Sequence, residues 1–165
     1  MLRIITLLFI IMAASSQASP LAEFKKVGAA KLEVLFWDIY ISELYSPDGR
    51  FVPENYPIAL KIRYLRDIKA RSLVERTAEE WSKLGYSEQQ INAWLANIQD
   101  LWPDIRKGDE LLLVIDQQGQ SQFYYNDTAL GLVPDPTFGA GFAAIWLDEK
   151  SSYPDLRAQL IGKDS

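Results

Sequence analysis

The 165-residue chain contains no histidine and no cysteine. The missing histidine removes the usual general base and the commonest metal ligand. The missing cysteine removes disulfides and thiol chemistry. Together they exclude the Ser–His and Cys–His nucleophile pairs, and no Ser-x-x-Lys spacing offers a lysine-based substitute. A metal site would need carboxylates alone, and no spaced Asp/Glu cluster resembles a calcium loop. Basic clusters are absent as well. The net charge is −5, which argues against nucleic acid and anionic lipid surfaces as partners. Gly139-Ala-Gly141 opens a helical stretch but lacks the Lys-Ser/Thr of a phosphate loop, so these glycines are read as helix packing. The adjacent Glu79 and Glu80 do not face each other on a helix and are read as a solvated face. No cofactor and no metal is expected.

Long hydrophobic runs are also scarce. Ile4 to Ala14 is apolar but too short to span a membrane. Arg3 before it and the small residues Ser16 and Ala18 after it mark a secretory signal peptide cleaved after Ala18. No cysteine follows, which excludes a lipid anchor at the new N-terminus. The expectation is an exported, periplasmic protein with residues 1–18 removed and one domain over 19–165, without an integral membrane segment. Cleavage takes the net charge from −5 to −6.

What is abundant is aromatic. Five Trp and eight Tyr contribute to an aromatic share of 12%. Such residues fill cores first, yet Tyr and Trp also line ligand cavities where a polar tip is wanted.

The stretch Gly28–Tyr45 alternates with period two, but its apolar phase changes partway. Leu32, Val34 and Phe36 share one face, then Trp37, Ile39 and Ile41 take the other parity. A strand absorbs such a change with a bulge, bend or tight turn. Asp38, Tyr40 and Ser42 then form a polar row, which reads either as the wet side of a bent or paired strand or as one that aims Tyr40 into a pocket. Ser46-Pro-Asp-Gly49 is a turn. Pro57–Arg66 reads as a strand with Ile58, Leu60, Ile62 and Tyr64 on one face and Lys61 and Arg63 on the other. Arg66 follows Tyr64 in the apolar row, either as a strand end reaching water or as an inward cation.

Two amphipathic helices follow. Lys69–Leu84 carries the stripe Leu73, Val74, Ala78, Trp81 and Leu84 before a capping Gly85. Ser87 to Gln90 forms a capping box, with Tyr86 and Ile91 as its staple. The stripe Ile91, Trp94, Leu95, Ile98, Leu101 and Trp102 then runs to Pro103. Leu111–Ile115 is apolar on both parities, as in a central strand covered on both faces. Turns at Gln117–Gln120 and Asn126-Asp127 make a three-strand meander of it with 121–125 and 129–133. Asp135-Pro136 opens a third helix, and Ser152–Asp155 caps a fourth that ends at Gly162. The fold class is α+β, an antiparallel sheet covered by helices.

The residues Gly28–Glu33, Asp38–Tyr45, Ile62–Arg66, Ile145-Trp146 and Leu160–Gly162 resemble the chalcone isomerase-like superfamily, in its secreted bacterial branch. That resemblance covers nearly the whole chain after the leader and implies an open-faced β-sandwich with a cleft between sheet and helices. The plant isomerases' substrate Arg would fall between Ala30 and Leu32, their strand Thr near Leu35, and their helix Tyr and Asn near Ala70 and Thr77. None of these positions keeps the isomerase residue, so no catalytic residue is assigned. Fatty-acid-binding members hold a carboxylate with an Arg and a Tyr, and Tyr40 resembles that Tyr. The cation would then come from Arg63, Arg66 or Lys31, with Tyr64 beside them, since Arg and Tyr both donate charge-assisted hydrogen bonds. The resemblance implies a non-catalytic protein binding an apolar, amphipathic or fatty-acid-like small molecule. A pocket-free protein-interaction module and an isomerase are the alternatives.

Overall fold

A computed structural model describes residues 19–163; the expected leader at 1–18 lies outside them. Six strands form one antiparallel sheet in sequential order, β1 (Lys25–Val34), β2 (Trp37–Ser46), β3 (Ile58–Tyr64), β4 (Glu110–Ile115), β5 (Ser121–Tyr125) and β6 (Thr128–Val133). Between β3 and β4 lie helices α1 (Ala70–Leu84) and α2 (Glu88–Ile98), and after β6 come α3 (Phe138–Leu147) and α4 (Pro154–Leu160). This is the α+β architecture of helices laid on an antiparallel sheet.

The phase change in the first stretch resolves into two devices. A two-residue turn at Leu35-Phe36 reverses the chain, with Val34 opposite Trp37. Leu32 then pairs with Tyr40 while Glu33 pairs with Asp38, so Ile39 is an extra residue in β2. That bulge moves Tyr40 and Ser42 to the helix side, where the Ser42 hydroxyl donates to the Ala30 carbonyl at 3.2 Å. Asp38 is left on the other side of the bulge, bonded to Lys31 at 2.7 Å. The polar row expected of Asp38, Tyr40 and Ser42 is therefore split. The turn itself is unusual in its residues. Leu35 adopts φ +59°, a region that costs a side chain-bearing residue roughly 1–2 kcal/mol and where hairpin turns place Gly.

The core lies between the sheet and the helices. Leu60, Ile62, Leu111, Leu113, Ile115 and Phe123 supply the sheet side. Trp81, Trp94, Trp102, Phe138 and Phe142 supply the helix side, as the helical spacing of the tryptophans predicts. Most of the rings meet edge-on or tilted, with Trp81 5.0 Å from Trp94 and Trp102 5.4 Å from Phe123 between centroids, while Phe138 and Phe142 stack at 5.8 Å. Such close approach needs glycine at two points. A Cβ on Gly141 would stand 2.2 Å from the Trp94 ring, and one on Gly28 2.2 Å from the Gln159 carbonyl where α4 crosses β1.

Several boundaries shift from their expected places. Helix α2 ends at Ile98 rather than at Pro103, and Trp102 reaches the core from the following turn. Helix α3 begins at Phe138, because the Asp135 carboxylate accepts from the Thr137 backbone and hydroxyl instead of capping a helix at Pro136. Tyr86 meets Trp94 edge-on, with ring centroids 4.8 Å apart. Strand β4 is central, but the four helices pack on one face only; Leu112 is buried on the other face with Leu21 and Tyr124 nearby.

That second face carries an ion cluster. Glu43 lies between Lys26 and Lys61, with Lys61 at 2.8 Å and the Tyr45 hydroxyl donating at 2.9 Å. Burial works to raise the Glu43 pKa, yet the bonds from Lys26, Lys61 and Tyr45 outweigh it and hold the carboxyl at about 2. A depressed folded-state pKa contributes stability above the ordinary carboxylate range, and that contribution is lost as pH falls toward 2. Urea midpoints measured from pH 5 down to 2 will therefore fall less steeply for Glu43→Gln than for the parent. Parallel profiles would show that Glu43 carries no pH-linked stability.

Candidate functional site

The sheet and helices do not close completely at the end of the sheet where β1 and β2 meet. A cavity of about 360 Å³ remains, walled by Leu32, Val34, Ile39, Ile68, Leu73, Phe142 and Ile145. Its polar equipment is Tyr40, Tyr64, Ser72, Arg76, Thr77, Glu80, Trp146 and Tyr153. The walls are apolar because four elements turn their apolar sides here: the bulged hairpin, the end of β3, the first turns of α1 and the second half of α3. Such a site suits a small, mostly apolar molecule oriented by few polar groups.

Tyr40 and Tyr64 are cross-strand neighbours in the β2–β3 register, and their rings meet edge-on at 6.2 Å. Trp146 Nε1 donates to the Tyr40 hydroxyl at 2.9 Å. That bond uses the hydroxyl oxygen as acceptor and leaves its own proton free to donate. Tyr64 is only 3% exposed, and among the described residues no protein group bonds its hydroxyl; only burial and the neighbouring Tyr40 act on it. Burial pushes both phenols well above their ordinary pKa, so both are neutral donors. An unpartnered hydroxyl in an apolar cavity costs free energy until something bonds it.

Also lining the cavity and near enough to act on Tyr40, Arg76 of α1 donates to Glu79 at 2.8 Å and to the Tyr153 hydroxyl at 3.1 Å. It also pairs with Glu80 at 2.5 Å. Glu80 is 5% exposed, not part of a solvated face as its adjacency to Glu79 suggests. The Ser152 hydroxyl donates to it at 2.5 Å and Lys83 at 3.1 Å. Burial works to raise the Glu80 pKa, but Ser152, Lys83 and Arg76 outweigh it and keep the carboxylate ionised. The guanidinium offers five N–H donors, and these three partners leave two unassigned.

The five residues singled out from sequence separate into two groups. Tyr40 and Tyr64 converge on the cavity. Arg63, Arg66 and Lys31 stay outside it. Arg63 stands on the helix-free face of β3, exposed. Strand β3 ends at Tyr64, so Arg66 does not continue the apolar row; its guanidinium lies over the Trp37 ring at 5.3 Å. Lys31 is occupied by Asp38 at 2.7 Å and Glu33 at 3.4 Å. The cation at the cavity is Arg76, which sequence reasoning passed over. Its signal was present, because residues 72, 73, 76, 77 and 80 share one side of α1 beside the core stripe. What they face depends on Tyr153, 77 positions away in sequence.

Comparison with known proteins agrees with this fold. The family profile described as chalcone isomerase-like matches residues 18–162. A protein of Haemophilus influenzae, described as uncharacterized, is 28% identical over 156 residues, 94% of this chain and 77% of the relative. Among solved structures, a fatty-acid binding protein of Arabidopsis thaliana superposes with a TM-score of 0.65 at 11% identity, covering 86% of this chain and 88% of that one. At that identity the likeness is one of fold.

Proposed function

The chain belongs to the chalcone isomerase-like family, and from that premise we propose that it is a non-catalytic binding protein for an apolar, fatty-acid-like molecule held in the sheet–helix cavity. The observation that carries the reading is an apolar cavity of about 360 Å³ lined by Tyr64, a residue only 3% exposed whose hydroxyl has no bond from another described residue. The hydrocarbon body lies against Leu32, Ile39, Leu73, Phe142 and Ile145. The head group accepts from Tyr40 and Tyr64 and, where it is a carboxylate, from the unassigned donors of Arg76. The fatty-acid binding neighbour supports this choice of ligand class, and the signal-like N-terminus supports a periplasmic setting. A protein-interaction module without a pocket would need a sealed interface, which this cavity is not. An isomerase would need the Arg, Thr and helix Tyr that positions near Ala30, Leu35 and Ala70 lack.

Native mass spectrometry of gently purified protein tests the proposal. It should show a bound acyl species that organic extraction releases. An empty protein that also fails to take up long-chain fatty acids added in solution sinks the reading. Within the same assay, Tyr64→Phe should weaken a ligand with a polar head by about fivefold, the worth of one neutral hydrogen bond. A pure hydrocarbon probe should bind it unchanged. Equal losses for both probes would mean that Tyr64 only shapes the wall.

A further inference from the structure

The β1–β2 turn presents four consecutive large apolar residues to solvent. Val34 is 40% exposed, Leu35 82%, Phe36 94% and Trp37 62%. None of the four belongs to the core or packs against it. The core gains nothing from the side chains of Leu35 and Phe36, and Leu35 additionally occupies a backbone region suited to glycine. A Gly-containing turn would serve the hairpin better. Exposed apolar clusters of this kind mark interaction sites.

We propose that this tip docks on the surface of a lipid bilayer, burying Leu35 and Phe36 among the acyl chains with Trp37 at the headgroup level. Three observations select a bilayer. The tip is a two-residue turn of a hairpin that runs on past the last β2–β3 pair, Tyr40 with Tyr64, and such a tip enters a soft interface readily, whereas a protein partner would need a matching groove. Trp37 and Arg66 stack at 5.3 Å, pairing an amphipathic ring with a cation able to reach lipid phosphates, the arrangement that interfacial anchors use. Val34 also lines the cavity with Leu32 and Ile39, so apolar surface runs from the tip into the ligand site. Docking there would let an apolar ligand pass between membrane and cavity without crossing water; this transfer role, unlike the docking itself, rests on the binding function proposed above. The flanking charges are largely paired, with Lys31 held by Glu33 and Asp38. Docking is therefore driven by apolar insertion and not by anionic lipid.

The test is co-sedimentation with phosphatidylcholine vesicles, with and without one-fifth phosphatidylglycerol. The parent is compared with Leu35→Gly/Phe36→Ser, both carrying the same N-terminus so that the apolar run at 4–14 contributes equally. The other four tryptophans are buried, so a blue shift of emission, quenched by acyl-brominated lipid, reports on Trp37. The parent should partition onto both vesicle types with that blue shift. The variant should lose at least tenfold in partitioning while its melting temperature holds or rises. Equal partitioning of the two proteins, or no blue shift in the parent, overturns the proposal. So does a parent that dimerises through the tip without binding vesicles. If vesicle docking holds but no ligand is ever found in the cavity, docking stands and only the transfer role falls.

Discussion

Trp81→Ala lowers the unfolding free energy by about 3–5 kcal/mol, the range for emptying a buried indole site. Trp81 is fully buried on α1, 5.0 Å from Trp94 and 5.9 Å from Phe138, and Nε1 donates to the Gly141 carbonyl at 2.9 Å. Its removal opens a void between three helices and takes from that carbonyl the indole's hydrogen bond, leaving it only its helical partner in α3. The Trp94 ring already packs directly on Gly141, where a Cβ would stand 2.2 Å from it. For a domain of this length the melting temperature should drop by roughly 10 °C, and urea titration should report the same change. A loss under about 1.5 kcal/mol, the scale of a volume-conserving swap, would show that the aromatic cluster repacks and that Trp81 is not its keystone.

Thr77→Trp should have the larger effect on binding. Thr77 lies on the cavity side of α1, and its hydroxyl is spent on the Leu73 carbonyl one turn back at 2.8 Å. Such back-bonding adds little to helix stability, so its loss is tolerated. The indole enters the cavity and takes the volume that a ligand's hydrocarbon would occupy. Uptake of a fluorescent fatty acid should fall more than tenfold while the melting temperature moves by a few degrees. Unchanged uptake would place the ligand site elsewhere on the molecule.

How much of this was legible depends on the range of the interactions involved. The helices could be read because the spacing of Leu73, Trp81, Ile91 and Trp94 encodes an apolar side within one segment. The hairpin was legible as a change of phase between Phe36 and Trp37. Its resolution into a turn plus a bulge at Ile39 required pairing with a second strand, since only register says which residue is extra. Arg66 illustrates the opposite failure. Alternation places it in line with Tyr64, but β3 stops there and Arg66 turns to Trp37. Glu80 illustrates another: two adjacent carboxylates on a helix read as wet until Ser152, 72 positions on, covers one of them.

Local chemistry alone therefore settled the element order, the α+β class, the aromatic core and the absence of histidine and thiol chemistry, because each follows from residue type and spacing within a short window. The open cavity, the pairing of Tyr40 with Tyr64, and the choice of Arg76 over Arg63, Arg66 and Lys31 as its cation were decided only by the tertiary structure. These depend on which side chains from distant segments meet, and on a gap that packing leaves unfilled.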